Sequence, residues 1–161
     1  LSQAAQIHLE LNLQAPCVND RARYKAAAKW VCAEFQLSKM EVSIAIVDDP
    51  TIHQLNREHL DHDWPTDVIS FLFEADEAAA SVEGEIVASI DTATRLSQAA
   101  GWSPEDELLL YVIHGLLHLA GLDDIEPADQ LEMRTAERDC LMALGVPGAD
   151  KHLDRFSDVS Y

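Results

Sequence analysis

The chain predicts an α+β fold in a single domain, and three observations carry that prediction. Four short segments alternate apolar and polar residues or concentrate β-branched and aromatic ones at strand spacing. The segments between and after them repeat apolar residues at helical spacing, giving about five helices. The 161 residues show no internal repeat and no dividing linker, and 48% of them are hydrophobic, enough to bury one sizeable core. Strands interleaved with helices and then followed by them suit an α+β domain.

Each element has its own signal. Ile7, Leu9, Leu11 and Leu13 alternate with polar residues as a first strand. Pro16 and Asn19-Asp20 interrupt the chain, and Tyr24, Ala27, Ala28, Val31 and Phe35 then mark a helix over about 20–36. Val42, Ile44 and Ile46 make a second strand. Asp49-Pro50 reads as cap and first-turn proline of a short helix over about 51–59. The polar, proline-bearing stretch 59–67 is a loop, and Val68-Ile69-Ser70-Phe71-Leu72-Phe73 is a strong strand. Residues 74–84, acidic and alanine-rich, read as a connection, and 86–90 as the fourth strand. A helix over 92–100 stops at Gly101. Ser103-Pro104-Glu105-Asp106 opens the next helix with a cap, a proline and acids at the positive end of the dipole, and that helix runs to about Ala120. Pro127 opens the last helix, Gly145-Val146-Pro147-Gly148 ends it, and the polar tail after about 148 is expected to be loose.

Charge narrows the partners. Twenty-nine acidic residues against 11 basic ones give −18, which repels polyanions in bulk and does not suggest DNA binding. The bases are uneven, with Arg21, Arg23, Lys25, Lys29 and Lys39 in one short segment. Arg21, Lys25 and Lys29 share a helix face, which reads first as a solvated face and second as a phosphate-contacting stripe. The longest apolar run near the helical histidines is six residues, Leu108 to Ile113, far short of a membrane span. No basic start, apolar stretch and cleavage site of a signal peptide is visible, and the chain starts at Leu1, so a few native residues are expected before it. Cys17, Cys32 and Cys140 are far apart and in no C-x-x-C spacing, which argues against disulfides and a thiolate zinc site and for a reducing cytoplasm.

The chemistry concentrates at His114-Gly115-Leu116-Leu117-His118-Leu119-Ala120-Gly121-Leu122-Asp123-Asp124. Residues four apart share a helix face, so both imidazoles can point at one spot. Gly121 can adopt the left-handed conformation that turns the chain back and brings Asp123 or Asp124 to the same spot. Two imidazoles and a carboxylate with an open fourth position make a catalytic metal site. In H-E-x-x-H peptidases the glutamate beside the first histidine is the general base; here Gly115 stands there, so that route loses its base. Each ligand histidine should donate its other ring N–H to an acceptor that the spacing does not identify.

The segment from His114 to Asp123 resembles the H-G-x-L-H-L-x-G-x-D signature of the YbeY family, bacterial endoribonucleases of rRNA maturation. Asp63-Trp64-Pro65-Thr66-Asp67-Val68-Ile69-Ser70-Phe71 is similar to that family's D-x-P-T-D-V-L-S-F segment, and Asn56-Arg57 and Gly84-Glu85-Ile86 match in order and spacing. The resemblance implies a four-stranded mixed sheet with a metal at the end of the long helix. It implies a zinc-dependent, single-strand-specific RNA hydrolase that works by attack of metal-activated water, with ribosomal RNA, the ribosome or its small subunit, and assembly proteins as partners.

Two departures stand out. The resemblance implies a third histidine ligand directly after the motif's aspartate, and here that position is Asp124. The expected ligand set is therefore His114, His118 and Asp124, with one Zn2+ per chain and other divalent metals possible. Asp123 and Gly121 then serve the second shell or the turn. Family members carry an arginine where this chain has Leu60, and leucine cannot clasp a phosphate. Arg57, His59, His62 and Ser70 are candidate RNA contacts near the loop, beside Arg21, Lys25 and Lys29 on the first helix. Three readings follow: a metal-dependent endoribonuclease of rRNA maturation and ribosome biogenesis, a non-catalytic metal-containing ribosome-assembly factor, and a metallohydrolase of another substrate.

Overall fold

Alternation in the first half of the chain becomes a sheet with two different faces. A computed structural model describes residues 4–14 and 19–156. Strands β1 (Gln6–Leu13), β2 (Lys39–Val47), β3 (Val68–Asp76) and β4 (Ser81–Ser89) form one mixed sheet in the order β1-β2-β4-β3. β1, β2 and β4 are parallel, and β3 runs antiparallel to β4 at the edge. Met40, Val42, Ile44 and Ile46 point from β2 into the main core, and Ile86 and Ala88 do so from β4. The opposite face is covered by a smaller cluster of Ile52, Ile69 and Val87.

The helices are α1 (Arg21–Glu34), α2 (Asp49–Leu60), α3 (Ile90–Ala100), α4 (Pro104–Leu119) and α5 (Pro127–Ala143), with a final 3-10 helix over Ala149–Phe156. α4 contacts α1, α3, α5, β3 and β4, so it is buried nearly all round. Leu109, Ile113, Leu116 and Leu117 are wholly buried on it, each contributing about 1.5–3 kcal/mol by leaving water. Cys32 and Cys140 are buried, which pushes their thiols up to about 11 and about 12. Pro16 and Cys17 lie outside the described residues. No helix among those described is long and apolar enough to cross a membrane.

Three local expectations are corrected. Residues 74–84 are not a long connection: β3 reaches Asp76, a turn occupies 77–80, and β4 starts at Ser81. The acids there have weak strand preference, but the hairpin pairs their backbone at an exposed edge, and a register shift between Leu72 and Glu74 turns Phe73 out to solvent. The cap of α2 is Asp48, whose carboxylate accepts from Thr51 N at 2.9 Å. Asp49 instead accepts from Ser89 Oγ, Thr92 Oγ1 and Arg95 at 2.6–2.8 Å, tying α2 to the β4–α3 corner. Finally, the segment after 148, expected to be loose, is helical through residue 156 and buries His152.

Two glycines let α4 lie close to the sheet. A Cβ at Gly115 would sit 2.9 Å from the Ile86 side chain. A Cβ at Gly84 would sit 2.6 Å from both the Leu119 side chain and the Phe71 backbone carbonyl. The carbonyl belongs to the sheet itself and cannot rotate away. Gly84→Ala is therefore expected to destabilise the fold by about 1–3 kcal/mol through overpacking, read as a lower urea midpoint at unchanged slope. An unchanged midpoint would show that β3 yields at no cost.

Candidate metal centre

His114 and His118 stand in the last two turns of α4, four residues apart on one face. The helix ends as the glycine predicts. Gly121 has φ +110°, Gly121 N–H donates to His118 O and Leu122 N–H to Leu117 O, both at 3.0 Å. That turn delivers the Leu122 carbonyl to His118 Nδ1 at 2.9 Å and brings Asp124 back over the helix end. Asp123 accepts from Asp124 N–H at 2.8 Å, so its carboxylate serves the turn.

The three side chains converge. His114 Nε2 and His118 Nε2 are 3.0 Å apart, and Asp124 Oδ2 lies 3.3 Å from the first and 3.5 Å from the second. Four ligands about 2.0–2.1 Å from zinc stand about 3.3–3.4 Å from one another in a tetrahedron. The triangle matches one face of that figure and leaves a fourth position open. Tautomers reinforce the fit. A backbone carbonyl only accepts, so His118 Nδ1 must carry its hydrogen; the Glu137 carboxylate, 2.8 Å from His114 Nδ1, requires the same of His114. Once the proton shared between His114 and Asp124 is removed, both Nε2 lone pairs and a carboxylate oxygen face one point, which suits a cation. These residues therefore fit a divalent metal.

Electrostatics agree. Burial pulls the His114 pKa down, but hydrogen bonds to Asp124 and Glu137 outweigh it and raise it to about 9. The hydrogen bond from His114 holds Asp124 below the ordinary carboxylate range. Burial would raise Glu137, yet hydrogen bonds from His114 and His152 with the charge of Arg134 keep it well below that range. A buried carboxylate survives as an ion only when so paired.

A cavity of about 190 Å3 opens beside His114 and Asp124, lined also by Asp67, Glu107, Tyr111, Arg134 and Arg155. None of the proposed RNA-contact residues is on its wall. Arg21 donates to Leu9 O at 2.7 Å, while Lys25 and Lys29 are exposed on α1. Arg57 lies 3.7 Å from Asp63, His59 meets Phe71 edge-on, His62 stacks on the exposed Trp64, and Ser70 is half-buried in β3. Leu60 ends α2 and is partly exposed. The cations at the cavity come from later in the chain. Sequence reasoning did not single out Arg134, Glu137 or His152. One signal was available: Met133, Glu137, Cys140 and Leu141 form a helical stripe, so an acid occupies a core position. Glu107, which the sequence signals also passed over, is likewise wholly buried and accepts from Trp102 Nε1 and from both terminal nitrogens of Arg155.

Comparison with known proteins gives a consistent picture. The model of one protein family, endoribonuclease YbeY, matches residues 11–145. Endoribonuclease YbeY of Rhodopirellula baltica is 48% identical over 107 residues, 65% of this chain and 54% of that protein, so the match spans about half its length. Endoribonuclease YbeY of Porphyromonas gingivalis is 39% identical over 128 residues, 77% of this chain and 82% of its own. That of Desulfitobacterium hafniense is 30% identical over 155 residues, 87% of this chain and 99% of its own. A solution structure of a Thermotoga maritima protein superposes with a TM-score of 0.56 over 97% of this chain and 99% of that one, at 21% identity, a likeness of fold.

The raised His114 pKa sets a pH dependence. Its stabilising contribution to the metal-free protein is complete below the unfolded value near 6.5 and is lost as pH rises through about 9. Metal binding has the opposite sign, because the ion must displace that proton. Affinity for zinc, measured by chelator competition, is expected to rise about tenfold per pH unit between 7 and 9 and then level. A flat profile across that window would show that no His114 proton is displaced by the metal between pH 7 and 9.

Proposed function

This chain belongs to the endoribonuclease YbeY family, and on that premise we propose that it is a zinc-dependent, single-strand-specific endoribonuclease of ribosomal RNA maturation and ribosome biogenesis. The observation that carries this reading is the triangle of His114 Nε2, His118 Nε2 and Asp124 Oδ2 with sides of 3.0–3.5 Å and one open side. The three residues would hold the metal. Bound there, zinc supplies a water of near-neutral pKa and polarises a phosphoryl oxygen. Glu137 and the Leu122 carbonyl hold the two imidazoles in the tautomer that presents Nε2.

The adjoining cavity suits a phosphodiester. Arg134 and Arg155 line it, and a guanidinium is planar and matched to phosphate oxygens. They bring cations to the cavity from α5 and the 3-10 helix, each already paired with a buried acid, Arg134 with Glu137 and Arg155 with Glu107. Arg57, His59, His62 and Ser70 are candidates for contacts further along the strand, and the α1 bases for contacts outside the cavity. An oxygen from Asp124 in place of a third imidazole is harder and widens the metal preference toward manganese. Ribosomal RNA, the small subunit and its assembly proteins are the proposed partners, in the cytoplasm. Leu60 and the net charge of −18 favour a second reading, a metal-containing assembly factor that binds without cutting.

Elemental analysis of the purified protein is expected to find about one zinc per chain, with affinity in Asp124→Ala reduced by more than the 10–100-fold typical of losing an outer partner. Cleavage of single-stranded RNA should vanish in His114→Ala and His118→Ala. Cleavage unchanged in both variants sinks the metal mechanism. Co-sedimentation with ribosomes and no cleavage by the zinc-loaded parent would select the second reading.

A further inference from the structure

The family match stops at residue 145, and the chain continues into the 3-10 helix over Ala149–Phe156. That helix reaches the metal centre. His152 is wholly buried in its side chain, and its Nε2 lies 2.9 Å from Glu137 Oε1. The other oxygen, Oε2, faces His114 Nδ1 at 2.8 Å. Arg134 donates to both oxygens at 2.8 and 3.0 Å. Glu137 itself is fully buried. Arg155, on the same 3-10 helix, clamps Glu107 with both terminal nitrogens and lies over the Trp102 ring at 5.4 Å. The segment is thus docked on α4 at one end and inserted behind the metal ligands at the other.

A carboxylate on a flexible side chain can turn about its last bond. Here each oxygen has its own ring donor on a different element and Arg134 donates to both, so rotation would break several charge-assisted hydrogen bonds at once. With Oε1 held by His152, the direction in which Oε2 receives the His114 N–H is set. That in turn sets the imidazole plane and the point at which its Nε2 aims. Outer partners of this type change metal affinity by roughly 10–100-fold when removed.

We propose that His152 is a positioning residue of the metal centre, acting through Glu137 on His114, so that the segment beyond the matched domain sets the affinity of the site for a divalent metal ion. The proposal rests on the reading of His114, His118 and Asp124 as ligands. His152 touches neither metal nor substrate.

The test uses the full chain, zinc and cobalt as probes, and a chromophoric chelator in competition. His152→Leu fills the space and removes the donor; His152→Gln restores an N–H at a comparable reach. Dissociation constants for both metals are expected to rise about tenfold in H152L, the low end for an outer partner, and to return to within about threefold of the parent in H152Q. The visible spectrum of the cobalt protein should shift in H152L and recover in H152Q. A urea midpoint that falls in H152L while cobalt affinity and spectrum stay at the parent's values overturns the proposal and leaves His152 as core packing. If H152L does not fold, His152→Asn, whose amide ends short of the Nε2 position, decides by the same two readouts. A parent that binds neither zinc nor cobalt overturns the ligand reading and this proposal together; a parent that binds while H152L binds equally overturns this proposal alone.

Discussion

The candidate metal centre depends on how closely and how rigidly α4 lies against β4. Two imidazoles can share a point only if the helix that carries them cannot shift or turn. α4 is held by wholly buried leucines, Val112 and Ile113 on most of its circumference, and Gly84 and Gly115 remove the side chains that would keep helix and sheet apart. A close-packed interior resists displacement of even one methylene, so this contact transmits little slack to the ligands. The glycine turn at 121 then does locally what the packing does globally. It returns the chain so that one residue, Leu122, holds a ring with its carbonyl, and another, Asp124, supplies an oxygen.

Buried charge is arranged at both ends of the same helix. Glu107 in the first turn and Glu137 behind the last turns are each fully buried; an arginine and Trp102 match the first, an arginine and two histidines the second. Such pairs contribute little net stability, because removing ions from water costs about what their attraction returns. Their effect is geometric. Arg155 and His152 recruit the 3-10 helix to α4 and α5, and Arg134 and Arg155 thereby arrive at the cavity beside His114. In a chain of net charge −18, most acids stay in solvent, and the few cations near the centre owe their position to these buried partners.

Much of this was legible in the sequence where the signal is local. Alternation identified the first two strands and β-branched and aromatic content the third, and 3.6-residue spacing with caps identified the helices, most cleanly α4 with Ser103, Pro104 and its acids. His114 and His118 were legible because i and i+4 share a face whatever the helix packs on. Spacing alone did not separate Asp123 from Asp124; that choice came from the resemblance, and the structure brings Asp124 to the imidazoles while Asp123 closes the turn. The far half of β3 was missed because Glu74, Ala75 and Asp76 have little strand preference and pair only through the hairpin. The tail was misjudged because its polar composition hid two residues whose partners are acids in the core.

What the amino-acid sequence determined by itself was the α+β class, the order of elements, and a two-histidine helix ending in a glycine turn. Each follows from the conformational preferences of neighbouring residues, which act within a few positions. The tertiary structure decided what lies between 15 and 50 residues apart. It paired Glu137 with His114 and His152, Arg155 with Glu107, and Gly84 with Leu119. No local preference encodes those meetings. They exist because apolar burial brings α4, α5 and the 3-10 helix together, and an acid carried into that interior must find a cation or a ring N–H to remain ionised.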